Sequence, residues 1–233
     1  MKFPDRLRKP GYKYLLAIVV LGIVFTAPRW GRALGRRLTY FHVRAIEIHG
    51  AKYLQPADVV ARLRIDTLRS LFDAVGPLEA RLRGHPQIAA VQITRHPPGT
   101  LVVTITENPP VALVPFGDGM RPYDSAGRAL PIDPSRTTLD LPVLTSADPA
   151  TLHLLGAIQR QQATFFNRIS MVERDGPNDV IFVLTPSLRV RTSLGVAPNR
   201  LQDIFPVESD LARRHERPAE LDLRYRDQVI ARL

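Results

Sequence analysis

A chain of 233 residues with 45% hydrophobic content has room for an anchor plus one or two small domains. Its net charge of +10 is localised: residues 1–37 carry nine basic side chains against Asp5 alone, while the rest, with 23 basic and 21 acidic side chains, is nearly neutral. That distribution argues against a nucleic-acid-binding face and for a membrane surface beside one apolar segment, and the lack of cysteine excludes disulfides, cysteine-ligated metals and thiol chemistry.

In chain order, residues 1–13 read as a short basic cytoplasmic tail without fixed structure. Tyr14 to Ala27, YLLAIVVLGIVFTA, is an uncharged apolar run. As a helix it spans about 21 Å, short of the ~30 Å hydrocarbon core. Lys13 and Arg29 can extend that span by snorkelling, and Tyr12, Tyr14 and Trp30 stand where interfacial aromatics stand. Phe25 and Pro28 spoil a small-residue cleavage site. The reading is a single-pass transmembrane anchor over residues 14–30, N-terminus inside, with the bulk outside; a cleaved signal and a soluble core helix are the alternatives.

Phe41–His49 reads as a strand, with a bulge where Val43, Ile46 and Ile48 break strict alternation. Gln55-Pro56-Ala57-Asp58 opens a helix carrying Val59 and Leu63 on one face. Gly76-Pro77 opens a second, with Leu78 and Leu82 four apart and Gly84 as its stop. Residues 64–75 between them carry no clear period. The segment from Ile88 to Val114 then predicts two strands: Val91 and Ile93 alternate with polar residues, His96-Pro97-Pro98-Gly99 turns, and Leu101, Val103 and Ile105 alternate again. Asn108-Pro109-Pro110 cannot continue a central strand, because proline gives no N–H to the ladder. The order so far is β-α-α-β-β, and the chain divides at that step.

Beyond it, strands over Val111–Phe116, Ile169–Arg174, Val180–Leu184 and Leu188–Thr192 are separated by Gly, Asp and Pro turns, with a short extended piece at Leu141–Leu144. Asp148-Pro149 opens a helix with Leu152, Leu155 and Ile158 as its apolar stripe. Residues 197–214 read as a helix that Pro206 should kink or split. Leu221–Tyr225 and Val229–Leu233 read as the last two strands.

Taken together these residues resemble the FtsQ/DivIB family of bacterial cell-division proteins. The resemblance rests on the basic tail with one anchor; on a POTRA-like β-α-α-β-β unit containing His85-Pro86-Gln87-Ile88 and Arg95-His96-Pro97-Pro98-Gly99-Thr100-Leu101; on the Glu107-Asn108-Pro109-Pro110-Val111-Ala112 joint; and on the terminal Leu221-Asp222-Leu223-Arg224-Tyr225. Gln87, where the family often has an aromatic residue, and the glycine-free Arg226-Asp227-Gln228 turn depart from its pattern. The expected fold class is α+β: an N-terminal transmembrane helix, a small POTRA-like domain over 41–109, and a β-rich domain over 110–233 with two helical stretches.

The family implies a non-enzymatic scaffold of the septal division complex, held at the bacterial cytoplasmic (inner) membrane with its bulk extracytoplasmic. Its implied partners are two small coiled-coil division proteins, usually called FtsB and FtsL; no cofactor and no nucleic acid are implied. Partner binding is expected at Leu223, Arg224, Tyr225, Arg226 and Val229. There a chain ending in a strand offers an open edge for strand addition, and Arg224 could pair with an acidic partner residue. By alternation, Asp222, Arg224 and Arg226 share one face of that strand and Leu221, Leu223 and Tyr225 the other.

No catalytic constellation stands beside this. The six histidines are scattered, Gly117-Asp118-Gly119 is turn chemistry, and neither a Walker motif nor a Gly-x-Ser-x-Gly elbow occurs. A membrane-anchored extracytoplasmic enzyme with an unrecognised site is the alternative function. A POTRA protein of polypeptide secretion is a weaker one, because the remaining chain is too short for a β-barrel.

Overall fold

In the computed structural model the described residues are Tyr14 and residues 16–22, 39–66, 69–134, 137–225 and 228–233. The expected tail lies outside them, and so does most of the expected anchor. Tyr14 and residues 16–22 are helical and exposed, and among the described residues no helix is long and apolar enough to cross a membrane. Contacts gather the chain into two compact units. One draws on Pro56–Leu82 and Val91–Ile105 together with the chain up to Ala51; the other on Lys52–Gln55, Arg83–Ala90 and Thr106–Leu233.

The β-α-α-β-β order holds. Strand β1 (Ala45–His49) is followed by helices α1 (Pro56–Leu63) and α2 (Gly76–Arg83), then by β2 (Ile88–His96) and β3 (Thr100–Glu107). The sheet order is β1-β3-β2, with β1 parallel to β3. Val91, Ile93, Leu101, Val103 and Ile105 are buried, as are Val59, Leu63, Leu78 and Leu82 on the helices, so the apolar faces read from periodicity are the core faces. The expected bulge is absent. Thr39–Phe41 is a 3-10 turn, the strand begins only at Ala45, and its register with β3 is unbroken from Ala45↔Thr100 to His49↔Thr104. Val43, which broke the alternation, lies before the strand.

Gly50 ends β1 at φ +81, where a Cβ would come within 2.2 Å of the Ile105 carbonyl oxygen, so only glycine fits. The unperiodic stretch after α1 is held by an isolated antiparallel bridge, His42↔Ser70, and by a side chain. The Arg95 guanidinium donates to the carbonyls of Leu71 at 2.8 Å and Asp73 at 2.9 Å.

The second unit is built on an eight-stranded sheet, β11-β10-β9-β8-β7-β6-β4-β5. Its strands are β4 (Pro110–Phe116), β5 (Gly119–Asp124), β6 (Val143–Leu144), β7 (Ile169–Asp175), β8 (Asp179–Leu184), β9 (Leu188–Ser193), β10 (Glu220–Asp222) and β11 (Ile230–Arg232). β3 ends at Glu107 and β4 begins at Pro110, so the Asn108-Pro109 step interrupts the strand as its missing donor requires. Glu107 is pinned there: its carboxylate accepts the backbone N–H groups of Lys52, Tyr53 and Leu54 at 2.8–3.1 Å. In the β5 turn, Asp124 accepts the N–H groups of Ala126 and Arg128 and the Arg128 guanidinium, all within the turn.

Helix α3 (Pro149–Gln161) is capped by Asp148, whose carboxylate accepts the Thr151 N–H at 3.0 Å. Leu152, Leu155 and Ile158 enter the core with Phe165 of α4 (Ala163–Phe166) and Phe182 of β8, whose rings meet edge to face at 5.6 Å. The second helical stretch does split, but ahead of its proline. A 3-10 segment, Pro198–Asp203, passes into α5 (Ile204–Arg213), which places Pro206 in the first turn, where a missing N–H leaves no bond unmade.

Candidate functional site

The terminal strands close the sheet at one end. β10 is extended because Leu221 alternates with Glu220 and Asp222, and it lies parallel to β9 in the register Glu220↔Arg189, Leu221↔Val190, Asp222↔Arg191. β11 returns antiparallel, Leu221 opposite Ala231, and has no neighbour on its other side among the described residues. A strand in that position presents unpaired N–H and C=O groups, the requirement for accepting an extended segment.

The predicted strand Leu221–Tyr225 is shorter than its alternation suggests: it stops at Asp222, and Leu223–Tyr225 form a corner. Leu223 is 4% exposed and belongs with Leu221 to the hydrophobic core. Its side chain therefore faces inward, and Tyr225, which alternation places beside it, is instead 51% exposed. Val229 is half-buried against the same core, Ile230 and Leu233 are exposed, and Arg226 lies outside the described residues.

Arg224 is engaged within the chain. Its Nε donates to Asp222 Oδ1 at 3.0 Å, its Nη2 to Asp222 Oδ2 at 2.7 Å and its Nη1 to Asp179 Oδ2 at 2.9 Å. Its backbone N–H also donates to Asp222 Oδ1 at 3.1 Å. The Asp222 side chain is 1% exposed, so this pair supplies the charge and hydrogen bonds without which a buried carboxylate could not stay ionised. The Arg224 guanidinium accordingly holds the Asp222 carboxyl below the usual carboxylate range, and the Arg224 pKa is raised in return by Asp222 first and Asp179 second. From the other side, Arg200 donates to the Tyr225 carbonyl at 2.9 Å and to Asp203 at 2.6 Å.

Ion pairs continue across the adjoining strands. Arg189 meets Glu173 at 2.8 Å, Arg191 meets Asp175 and Glu220, and Arg232 meets Glu220 at 3.0 Å. These pairs tie β7, β9, β10 and β11 together laterally. Among the described residues, no group of His, Asp and Glu side chains is placed to hold a metal ion. The arrangement suits recognition by backbone pairing beside an exposed tyrosine.

Sequence reasoning missed Asp222, Asp179 and Arg200 as the residues that fix the corner. The first had a signal, since opposite charges two apart on a strand share a face. Asp179 had none, standing 45 residues from Arg224.

Comparison with known proteins agrees with this architecture. Residues 41–108 match the family described as POTRA domain, FtsQ-type. The chain is 27% identical over 209 residues to the cell division protein FtsQ of Rhodothermus marinus, covering 80% of this chain and 76% of that protein. To the cell division protein FtsQ of an Anaeromyxobacter species it is 33% identical over 141 residues, covering 58% of this chain and 45% of the relative. To that of Myxococcus fulvus it is 31% identical over 142 residues, covering 57% and 49%. The match thus spans about half the length of the last two relatives. Among solved structures, the major extracytoplasmic domain of the trans isomer of DivIB from Geobacillus stearothermophilus is similar at 19% identity over 46% of this chain and 97% of that one. Its TM-score of 0.36 is too low for the two to be compared element by element.

Proposed function

The chain belongs to the FtsQ/DivIB family of bacterial cell-division proteins, and we propose that it is a non-enzymatic, single-pass membrane scaffold of the division complex. Residues 1–13 are its cytoplasmic tail and residues 14–30 its anchor in the cytoplasmic membrane. Residues 41–109 and 110–233 are its two extracytoplasmic domains. Its partners are other division proteins, of the small coiled-coil membrane type represented by FtsB and FtsL. They engage the terminal segment that includes Leu223, Arg224, Tyr225, Arg226 and Val229, an extended partner segment adding to β11.

The observation that carries this reading is the edge of β11, open among the described residues, together with an exposed Tyr225 in the segment that leads from β10 to it. Backbone bonds supply affinity in strand addition, and an aromatic side chain next to the edge supplies choice. Leu223, buried, holds the corner from beneath, and Arg224 reaches the partner only through the part of its guanidinium that Asp222 and Asp179 leave to solvent.

The test is co-purification of the full chain with the small coiled-coil division proteins of its own organism. The wild-type chain is expected to retain them, and Tyr225→Ala and Val229→Pro to lose them while keeping the wild-type circular dichroism spectrum. Retention by a folded Val229→Pro chain would refute strand addition. A reporter fused after Leu233 is expected to be active only outside the cytoplasm, and activity inside would refute the topology.

A further inference from the structure

One end of the first unit collects aromatic and cationic side chains, of which only Arg95 has a structural role so far. The 3-10 turn Thr39–Phe41 begins a chain of rings. Tyr40 lies 5.2 Å edge-on from Phe41, and Phe41 lies 5.2 Å from Phe72. Tyr40 is 59% exposed, although a ring of that size gains by burial. The Arg44 guanidinium stands 5.6 Å from the Tyr40 ring centre. Backbone bonds bring the neighbouring segments to the same end: Val43 N–H to the Arg69 carbonyl, Leu71 N–H to the Phe41 carbonyl, and Arg44 N–H to the Gly99 carbonyl.

Arg69 and Arg95 complete the cluster. Arg69 donates to the Ala74 carbonyl and Arg95 to those of Leu71 and Asp73. Carbonyl acceptors hold a guanidinium in place without neutralising it. The acids of this end are Asp66, whose carbonyl accepts the Arg69 N–H, and Asp73, whose carboxylate accepts the Ser70 N–H at 3.1 Å. Three arginines outnumber them, and in the sequence Arg36 and Arg37 come one residue, Leu38, before the turn.

We propose that this end docks on an anionic phospholipid surface, its rings at headgroup level and its arginines on the phosphates. The inference rests on residues 14–27 entering a membrane, as proposed above. The chain itself names the occupant: the last residue of the apolar run, Ala27, is 13 positions before Tyr40. A stretch that short keeps the aromatic end within reach of a bilayer holding that run. Aromatic rings mixed with arginine are what a membrane interface selects.

The test uses the full chain, which has no cysteine, carrying one environment-sensitive label at His96→Cys, at this end, or at His49→Cys, at the far end of β1. β1 alone separates the two ends by about 13 Å. The protein is reconstituted into vesicles of phosphatidylglycerol or of phosphatidylcholine, with a quencher at headgroup level. In phosphatidylglycerol the His96 label is expected to be quenched at least twice as strongly as the His49 label. Arg44→Glu, tested with an unchanged melting temperature, lowers the docked-to-free ratio by about fivefold or more. Protein that stays with the vesicles through an alkaline wash but is quenched equally at both positions overturns the docking and leaves the anchor standing. Equal quenching at His96 in the two lipids overturns the anionic headgroup as ligand. Protein released by the wash overturns the anchor, and the docking with it.

Discussion

Replacing Asp222 with Asn keeps the size of the side chain and removes the charge that holds the β10–β11 corner. In the wild-type chain that carboxylate takes three hydrogen bonds from the Arg224 guanidinium, at 2.7, 3.0 and 3.2 Å, and one from the Arg224 N–H at 3.1 Å. Hydrogen bonds to a charged group contribute about 1.5–3 kcal/mol. The Arg224 side chain is 33% exposed, and solvent recovers part of its loss, which favours the lower end. A cost near 1.5 kcal/mol lowers the melting temperature of a chain this long by about 3–6 °C. Asp179→Asn, at a less buried carboxylate, is expected to cost less.

The pH dependence identifies the cause of that cost. The carboxyl of Asp222 is depressed below its ordinary 3.8, chiefly by the Arg224 hydrogen bonds. A group depressed in this way adds stability that is present above the unfolded value and is lost as pH falls through the lower folded value. Urea unfolding of the wild-type and Asp222→Asn chains should therefore differ at neutral pH and converge in acid below 3.8. Equal midpoints at neutral pH, or a difference that persists unchanged into acid, would refute the reasoning. By the same geometry, Arg224→Glu sets a carboxylate against Asp222 and Asp179 and is expected to lower the melting temperature.

Two further perturbations test the cores. Val103→Asp puts an unpaired carboxylate where a fully buried valine contributes about 1.5–3 kcal/mol, and hydrogen exchange should show the amides of β1 to β3 losing protection; wild-type protection would mean that the assigned face is wrong. Gly156→Ala gains about 1 kcal/mol of helix propensity but sets a Cβ 2.3 Å from that of Ser125, an overpacking that costs about 1–3 kcal/mol. The single change should destabilise the protein and Ser125→Gly should rescue it; additive effects of the two would refute the contact.

Much of this fold was legible because it is written in short-range chemistry. Period-two alternation fixes which side of a strand is apolar, so Val91, Ile93, Leu101 and Val103 could be assigned to the core without coordinates. Proline and Asp148 mark helix starts through donors they lack or satisfy within a few residues, and Gly50 marks a strand end through a conformation only glycine takes readily. Where the local rule was applied too far, the structure corrected it. Alternation in Leu221–Tyr225 stops at the corner, and the split near Pro206 falls before the proline.

What the sequence could not supply is whatever joins residues far apart along it. Alternation does not say which strand lies beside which, so the insertion of β6 between β4 and β7, and the parallel pairing of β10 with β9, belong to the tertiary structure. The same holds at the candidate site. A terminal strand can be read from the order of elements, but whether Arg224 faces a partner or its own chain depends on Asp179, brought 2.9 Å from it across 45 positions. Local chemistry constrains a residue through its neighbours in sequence, whereas an ion pair of that span exists only after the sheet has closed the loop between its partners.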